Sequence, residues 1–133
     1  RHFFLPGAEE LLSALHGRYT LCLASNGTGW VQEGRLKSSG ILPLLDRVFI
    51  SEYLGANKPQ LGFFDACFAS LPGVKRSESL MLGDSLTSDM LGGKIAGMHT
   101  CWYNPNRLPL PTDGTVEYQI HRLPDLLPLL EKL

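Results

Sequence analysis

Leu80-Met81-Leu82-Gly83-Asp84-Ser85-Leu86-Thr87-Ser88-Asp89 is an apolar run that breaks at a glycine and continues into a helix-like segment from Thr87 to Met98. The pattern places two carboxylates at a strand-to-helix turn, Asp84 at the strand end and Asp89 in the first helical turn. In open α/β sheets, ligands bind at the carboxyl ends of the strands. Paired carboxylates there suit a hard cation such as Mg²⁺, which takes oxygen ligands and commonly bridges to substrate phosphate. The same residues also fit a plain helix start. Ser85 or Thr87 could be the cap, and Asp89 could simply favour the positive end of the helix dipole.

Working outward, the chain alternates between helix and strand patterns. Pro6 to Leu15 carries apolar residues at helical spacing, with Gly17 as its stop. Tyr19 to Ala24 is a nearly continuous apolar run, as a buried parallel strand requires. A helical stretch from about Gly29 to Ser39 follows, then a strand over Arg47–Ser51. Gln60 to Leu71 reads as a helix with Phe63, Phe64, Cys67 and Phe68 on its apolar side, stopped by Pro72-Gly73. Further strands are predicted at Ser79–Gly83 and His99–Tyr103. Val116 to Ile120 alternates apolar and polar residues, which suits an edge strand, and Pro124 to Leu133 forms a closing helix. This alternation predicts an α/β fold built on a doubly wound parallel sheet. Asn104 to Gly114 reads as a surface loop.

Composition narrows the function classes. With 133 residues, the chain is long enough for one domain with a real core. A formal net charge of −1 gives no electrostatic basis for binding nucleic acid or an anionic membrane. No apolar run approaches a transmembrane length, and the start, Arg1 to Gly7, lacks the long apolar stretch of a secretory leader. The three cysteines, Cys22, Cys67 and Cys101, lie in apolar segments without Cys-x-x-Cys spacing. They are expected to be small buried thiols in a reducing compartment, which suggests the cytoplasm. His2, His16, His99 and His121 are read as structural or surface residues. Trp30 is read as packing or as a border of the substrate entrance, Arg35 and Lys37 as a solvated face, and Trp102 and Tyr103 as strand packing.

If such a sheet carries a site, polar residues should cluster just past its strands. Ser25-Asn26-Gly27-Thr28 follows the first strand, Asn57-Lys58-Pro59 follows the second, and Asp84 and Asp89 follow the third. The Ser25 hydroxyl and the Asn26 N–H can donate to phosphate oxygens, and Gly27 permits close approach. Lys58 can neutralise charge on a transferring phosphoryl group. Pro59 pushes Lys58 toward an extended backbone and could itself start the next helix. Asp84 would bind the metal, while Asp89 would hold metal-bound water or orient the lysine. Taken singly, Ser25 and Asn26 also fit a turn or cap, and Lys58 fits a solvated lysine.

These residues resemble the motifs of the haloacid dehalogenase-like hydrolase superfamily. Ser25 matches its second motif, Lys58 with Pro59 its third, and Gly83-Asp84 followed by Asp89 its fourth. Leu5-Pro6-Gly7, Ile50-Ser51-Glu52, Leu91-Gly92-Gly93, Ala96-Gly97 and Thr100-Cys101-Trp102 look like its noncanonical pyrimidine 5′-nucleotidase branch. The resemblance implies a Mg²⁺-dependent phosphatase. Its substrate would be a small-molecule phosphomonoester, a pyrimidine nucleoside monophosphate or alternatively a sugar phosphate or phosphoglycolate. It also implies Ser25, Asn26, Gly27 and Lys58 as phosphate-binding residues, and Asp84 and Asp89 as metal residues.

The superfamily's nucleophilic Asp-x-Asp motif is not found here. Asp46, Asp65, Asp113 and Asp125 do not end apolar strands with a second Asp two positions on. Residues 1–133 are therefore expected to be a partial catalytic core, lacking the first strand and the cap domain. By resemblance, the lost strand would lie between those ending at Asp84 and Ser25. Its loss would leave two unpaired edges that favour a homodimer or strand exchange. A non-catalytic scaffold or interaction protein is the reading from another class.

Overall fold

The computed structural model describes residues 8–26 and 42–132. The predicted helix at Gly29–Ser39 lies outside them, as do Leu5-Pro6-Gly7, Gly27, Trp30, Arg35, Lys37 and His2. The chain divides into two compact units, one within Arg1–Gly55 together with Leu123–Leu133, the other Ala56–Arg122. Among the described residues, no helix is long and apolar enough to cross a membrane.

In the first unit, the Ala8–Leu15 helix buries Leu11 and Leu15, which share one face by their spacing. It packs against a 3₁₀ turn, Leu123–Asp125, that leads into a short helix, Leu126–Leu130. Strand β1 (Cys22–Ser25) pairs in parallel with β2 (Arg47–Ile50), from Cys22 opposite Arg47 to Ser25 opposite Ile50. The predicted strand at Tyr19–Ala24 is thus displaced toward Ser25. The Leu21 N–H is taken at 2.7 Å by the Asp46 carboxylate, and Tyr19 forms only an isolated bridge to His16. Strand β1 is half-buried rather than buried, and Cys22 is exposed, against the expectation of a buried thiol. Strand β2 buries Phe49 and Ile50. It ends at Ile50, because Ser51 already opens a one-turn helix, Ser51–Leu54, closed by Gly55 at φ 74°.

The second unit is a parallel sheet of β3 (Leu80–Gly83), β4 (His99–Tyr103) and β5 (Tyr118–Ile120), with β4 in the middle. Leu80 lies opposite His99 and Gly83 opposite Trp102, while Cys101 lies opposite Tyr118. Central β4 buries Thr100 through Tyr103, and β5 takes the edge. The edge strand begins at Tyr118 rather than Val116 because the Glu117 N–H donates to Thr100 Oγ1, at 3.0 Å, instead of entering a ladder. The Leu61–Ala69 helix buries Phe63, Phe64 and Cys67, the first two in a T-shaped contact at 5.3 Å between ring centroids. Cys67 and Cys101 are both buried. Among the described residues, β1 pairs with β2 alone and β3 with β4 alone.

Candidate active site

The site is built around the turn that leaves β3. The predicted helix from Thr87 to Met98 is instead a π-helical turn, Leu86–Met90, followed by an α-helix, Leu91–Ile95. The Ser85 carbonyl accepts from both the Asp89 N–H, at 3.1 Å, and the Met90 N–H, at 3.0 Å, which widens the turn by one residue. Gly97 ends the segment at φ 82°. Ser85 is the cap, its Oγ accepting from the Ser88 N–H at 3.1 Å. Asp89 reaches back, Oδ2 accepting from the Ser85 N–H at 3.4 Å. This is the reciprocity of a capping box, with the acidic residue displaced one position by the wider turn.

The other Asp89 oxygen takes the lysine. Lys58 Nζ lies 2.6 Å from Asp89 Oδ1, and both side chains are 9 % exposed. A charge-assisted contact this short and this sheltered is costly to break, since either partner alone would be left charged in a poorly hydrated place. Lys58 sits on a turn in which the Gln60 N–H donates to the Asn57 carbonyl and Gln60 Oε1 accepts from the Asn57 N–H. The Lys58–Pro59 peptide is cis. Pro59 does not start the next helix as expected: Gln60 occupies the cap position and the helix begins at Leu61.

Two glycines permit this arrangement. A Cβ on Gly83 would lie 2.2 Å from Asp89 Oδ2, so the carboxylate occupies space that any side chain at 83 would fill. A Cβ on Gly92 would come within 2.6 Å of the Phe64 ring and 3.1 Å of the Pro59 Cα. Gly92 thus lets the helix that follows Asp89 approach the backbone that carries Lys58.

Asp84 is exposed just past the last ladder residue of β3. Its carboxylate makes no hydrogen bond or ion pair among the described residues. Its backbone carbonyl accepts from the Trp102 indole N–H at 3.1 Å. Among the described residues, no three His, Cys, Asp or Glu side chains converge as a metal site. Asp84 offers the open hard-oxygen donor that Mg²⁺ prefers. One such ligand supplemented by water and phosphate is within the habits of that ion. Both Asp89 oxygens are engaged by Lys58 and Ser85, which suits it to hold the lysine.

Of the predicted residues, Lys58 and Asp89 come into contact, and Asp84 lies on the same turn. Ser25 and Asn26 close β1 in the first unit, where Ser25 Oγ donates to the Asn26 carbonyl at 3.4 Å. From the sequence, Trp102 reads as strand packing. It is buried, but its indole N–H is also spent on Asp84, a link set by the pairing of β3 with β4 rather than by any local pattern.

Residues 3–103 match the family described as haloacid dehalogenase-like hydrolase, and the chain belongs to that family. It is 42 % identical over 129 residues to pyrimidine 5′-nucleotidase PynA of Streptococcus pneumoniae, covering 96 % of this chain and 54 % of PynA. It is 36 % identical to pyrimidine 5′-nucleotidase YjjG of Escherichia coli, covering 96 % of this chain and 57 % of YjjG. The fold is similar to the crystal structure of the HAD-hydrolase YfnB of Bacillus subtilis bound to magnesium, with a TM-score of 0.91 and 36 % identity over 95 % of this chain and 55 % of YfnB. The chain spans about half the length of the curated relatives it matches.

Proposed function

We propose that this chain is part of the catalytic core of a Mg²⁺-dependent phosphomonoesterase acting on pyrimidine nucleoside monophosphates. The observation that carries the reading is the sheltered Lys58–Asp89 pair beside the open carboxylate of Asp84. A scaffold gains little from keeping a buried charge pair, whereas phosphoryl transfer needs a fixed cation and a metal ligand. Asp84 would hold Mg²⁺, which supplies charge neutralisation at the phosphoryl oxygens when bound. Lys58, oriented by Asp89, would donate to the same phosphoryl group. By their match to the family motif, and not from any placement against Lys58, Ser25, Asn26 and Gly27 are proposed as phosphate-binding residues of the intact enzyme. The pyrimidine preference rests on PynA and YjjG, whose names carry it.

The nucleophile belongs to a part of the intact enzyme outside this chain. Among the described residues, β1 and β3 each pair on one side alone, and this together with the half-length match to relatives supports a partial core. The intact enzyme is read as cytoplasmic. Two assays test the reading. The purified chain should show no metal-dependent hydrolysis of nucleoside or sugar monophosphates. In the full-length enzyme, Asp84→Asn should sharply reduce Mg²⁺-dependent turnover of pyrimidine nucleotides, and unchanged turnover would reject the metal role. The coding sequence upstream of Arg1 separates the scaffold reading: an in-frame apolar strand ending in Asp-x-Asp supports the enzyme.

A further inference from the structure

We infer that Trp102 is a positioning residue for the Asp84 carboxylate, acting through the peptide group that joins Asp84 to Ser85. The inference rests on Asp84 being a metal ligand. Asp84 stands beyond the β3 ladder, whose last pair is Gly83 opposite Trp102, so no sheet hydrogen bond restrains it. Its peptide group is instead gripped at both ends. The carbonyl of Asp84 accepts from Trp102 Nε1 at 3.1 Å, and the N–H of Ser85 donates to Asp89 Oδ2 at 3.4 Å. With that plane fixed from both sides, the Asp84 backbone cannot rotate freely, so its Cα is held in place and the region its exposed carboxylate can reach is restricted. The Trp102 grip is the firmer of the two. It is the shorter bond, and it comes from a side chain only 2 % exposed in the middle of the sheet. A donor that fixes a metal ligand from behind governs affinity without touching the metal.

The test uses Mn²⁺ as a paramagnetic probe of the whole chain, followed by broadening of backbone amide resonances. In the unsubstituted chain, Mn²⁺ should broaden the amides from Gly83 to Asp89 first, and Asp84→Asn should abolish this. Trp102→Phe keeps a buried ring and removes the donor. It should raise the Mn²⁺ concentration for half-broadening roughly tenfold, the lower end for loss of an outer partner of a metal ligand. The dispersed spectrum should be retained. If Trp102→Phe loses that dispersion, 3-benzothienylalanine at position 102 makes the same comparison, with sulfur in place of the indole N–H. Equal half-broadening in the unsubstituted chain and the donor-less variant, with Asp84→Asn still abolishing the effect, overturns the role of Trp102 alone. No localised broadening in the unsubstituted chain, or none lost in Asp84→Asn, overturns the metal reading of Asp84 and this inference with it.

Discussion

Replacing Gly83 by alanine is expected to destabilise the chain, and the reason lies in Asp89 rather than in the backbone. Gly83 is not among the glycines with positive φ, so alanine can adopt its conformation. At such a site, Gly→Ala normally stabilises by about 0.4–1 kcal/mol, because the unfolded chain loses freedom. Here the new Cβ would stand 2.2 Å from Asp89 Oδ2, 2.5 Å from its Cγ and 2.6 Å from its Cβ, where contacts below 3.0 Å essentially never occur. The whole side chain must therefore retreat, and it carries the 2.6 Å contact to Lys58 and the 3.4 Å bond from Ser85, already near its limit. Forcing a methyl into a filled site costs about 1–3 kcal/mol. For a domain of this size, that is a fall in melting temperature on the order of 5–10 °C. Urea denaturation followed by circular dichroism gives the difference directly. The decisive comparison is the same substitution in an Asp89→Gly background, where the obstruction is gone and Gly83→Ala should become neutral or stabilising. An equal cost in both backgrounds would refute the steric account, as would a stabilising Gly83→Ala in the unsubstituted chain.

Two further predictions concern titratable groups outside the site. His99 Nδ1 lies 2.8 Å from Glu117 Oε1, and its Nε2 faces the Ser77 carbonyl at 2.9 Å. The hydrogen bond to Glu117 is the main cause that raises the His99 pKa above its ordinary 6.5. A raised folded value contributes stability that is fully present below about 6.5 and is lost as pH rises through the folded pKa. Both side chains are more than a third exposed, so the effect should stay below about 1 kcal/mol. The melting-temperature gap between the unsubstituted chain and Glu117→Gln should be widest near pH 6 and close by pH 8.5; a gap that widens with pH contradicts this sign. Among the cysteines, burial pushes the Cys101 thiol up to about 12, whereas Cys22 is exposed and raised by partial burial of its sulfur and by the Asp46 charge. Iodoacetamide at pH 8 followed by peptide mass spectrometry should therefore label Cys22 first, with Cys67 and Cys101 reacting only on unfolding. Labelling of Cys101 as fast as Cys22 would count against it.

Strands β2, β3 and β4 were legible to within about a residue because each is an apolar run whose neighbours are polar or turn-forming. The misplaced boundaries have specific causes at long range. Asp46 captures the Leu21 N–H and delays β1, while Thr100 captures the Glu117 N–H and delays β5. No window on either strand contains those partners. The π-turn was hidden for a different reason. Ser85 and Asp89 read as an ordinary cap and a first-turn acid, and only the double use of the Ser85 carbonyl shows the extra residue. At the site, the residue types were readable from strand-end position and family resemblance. The contact between Lys58 and Asp89, and the hold of Trp102 on Asp84, follow from packing between segments far apart in sequence. At Gly92 the sequence offers only the family resemblance. The reason for the glycine, the approach to Phe64 and Pro59, exists only once the helices are packed.

The widened turn at Leu86–Met90 acts as a phase adjustment between the end of β3 and the short helix that follows, which carries two demands. Upstream, Asp89 must aim at Lys58. Downstream, Gly92 must face Phe64 and Gly93 must face Thr100 and Met81. In a regular α-helix each residue turns the direction of the side chains by about 100°. Deleting Thr87 would turn Ser85 and the acid into an ordinary capping box and give a more regular helix. The acid and the two glycines keep their mutual spacing but would then turn together by about 100° relative to the end of β3, which swings the carboxylate off the lysine and drives side chains into Phe64 and the sheet. In this segment, local regularity and the aim of the site oppose each other, and the inserted residue resolves the conflict in favour of the site.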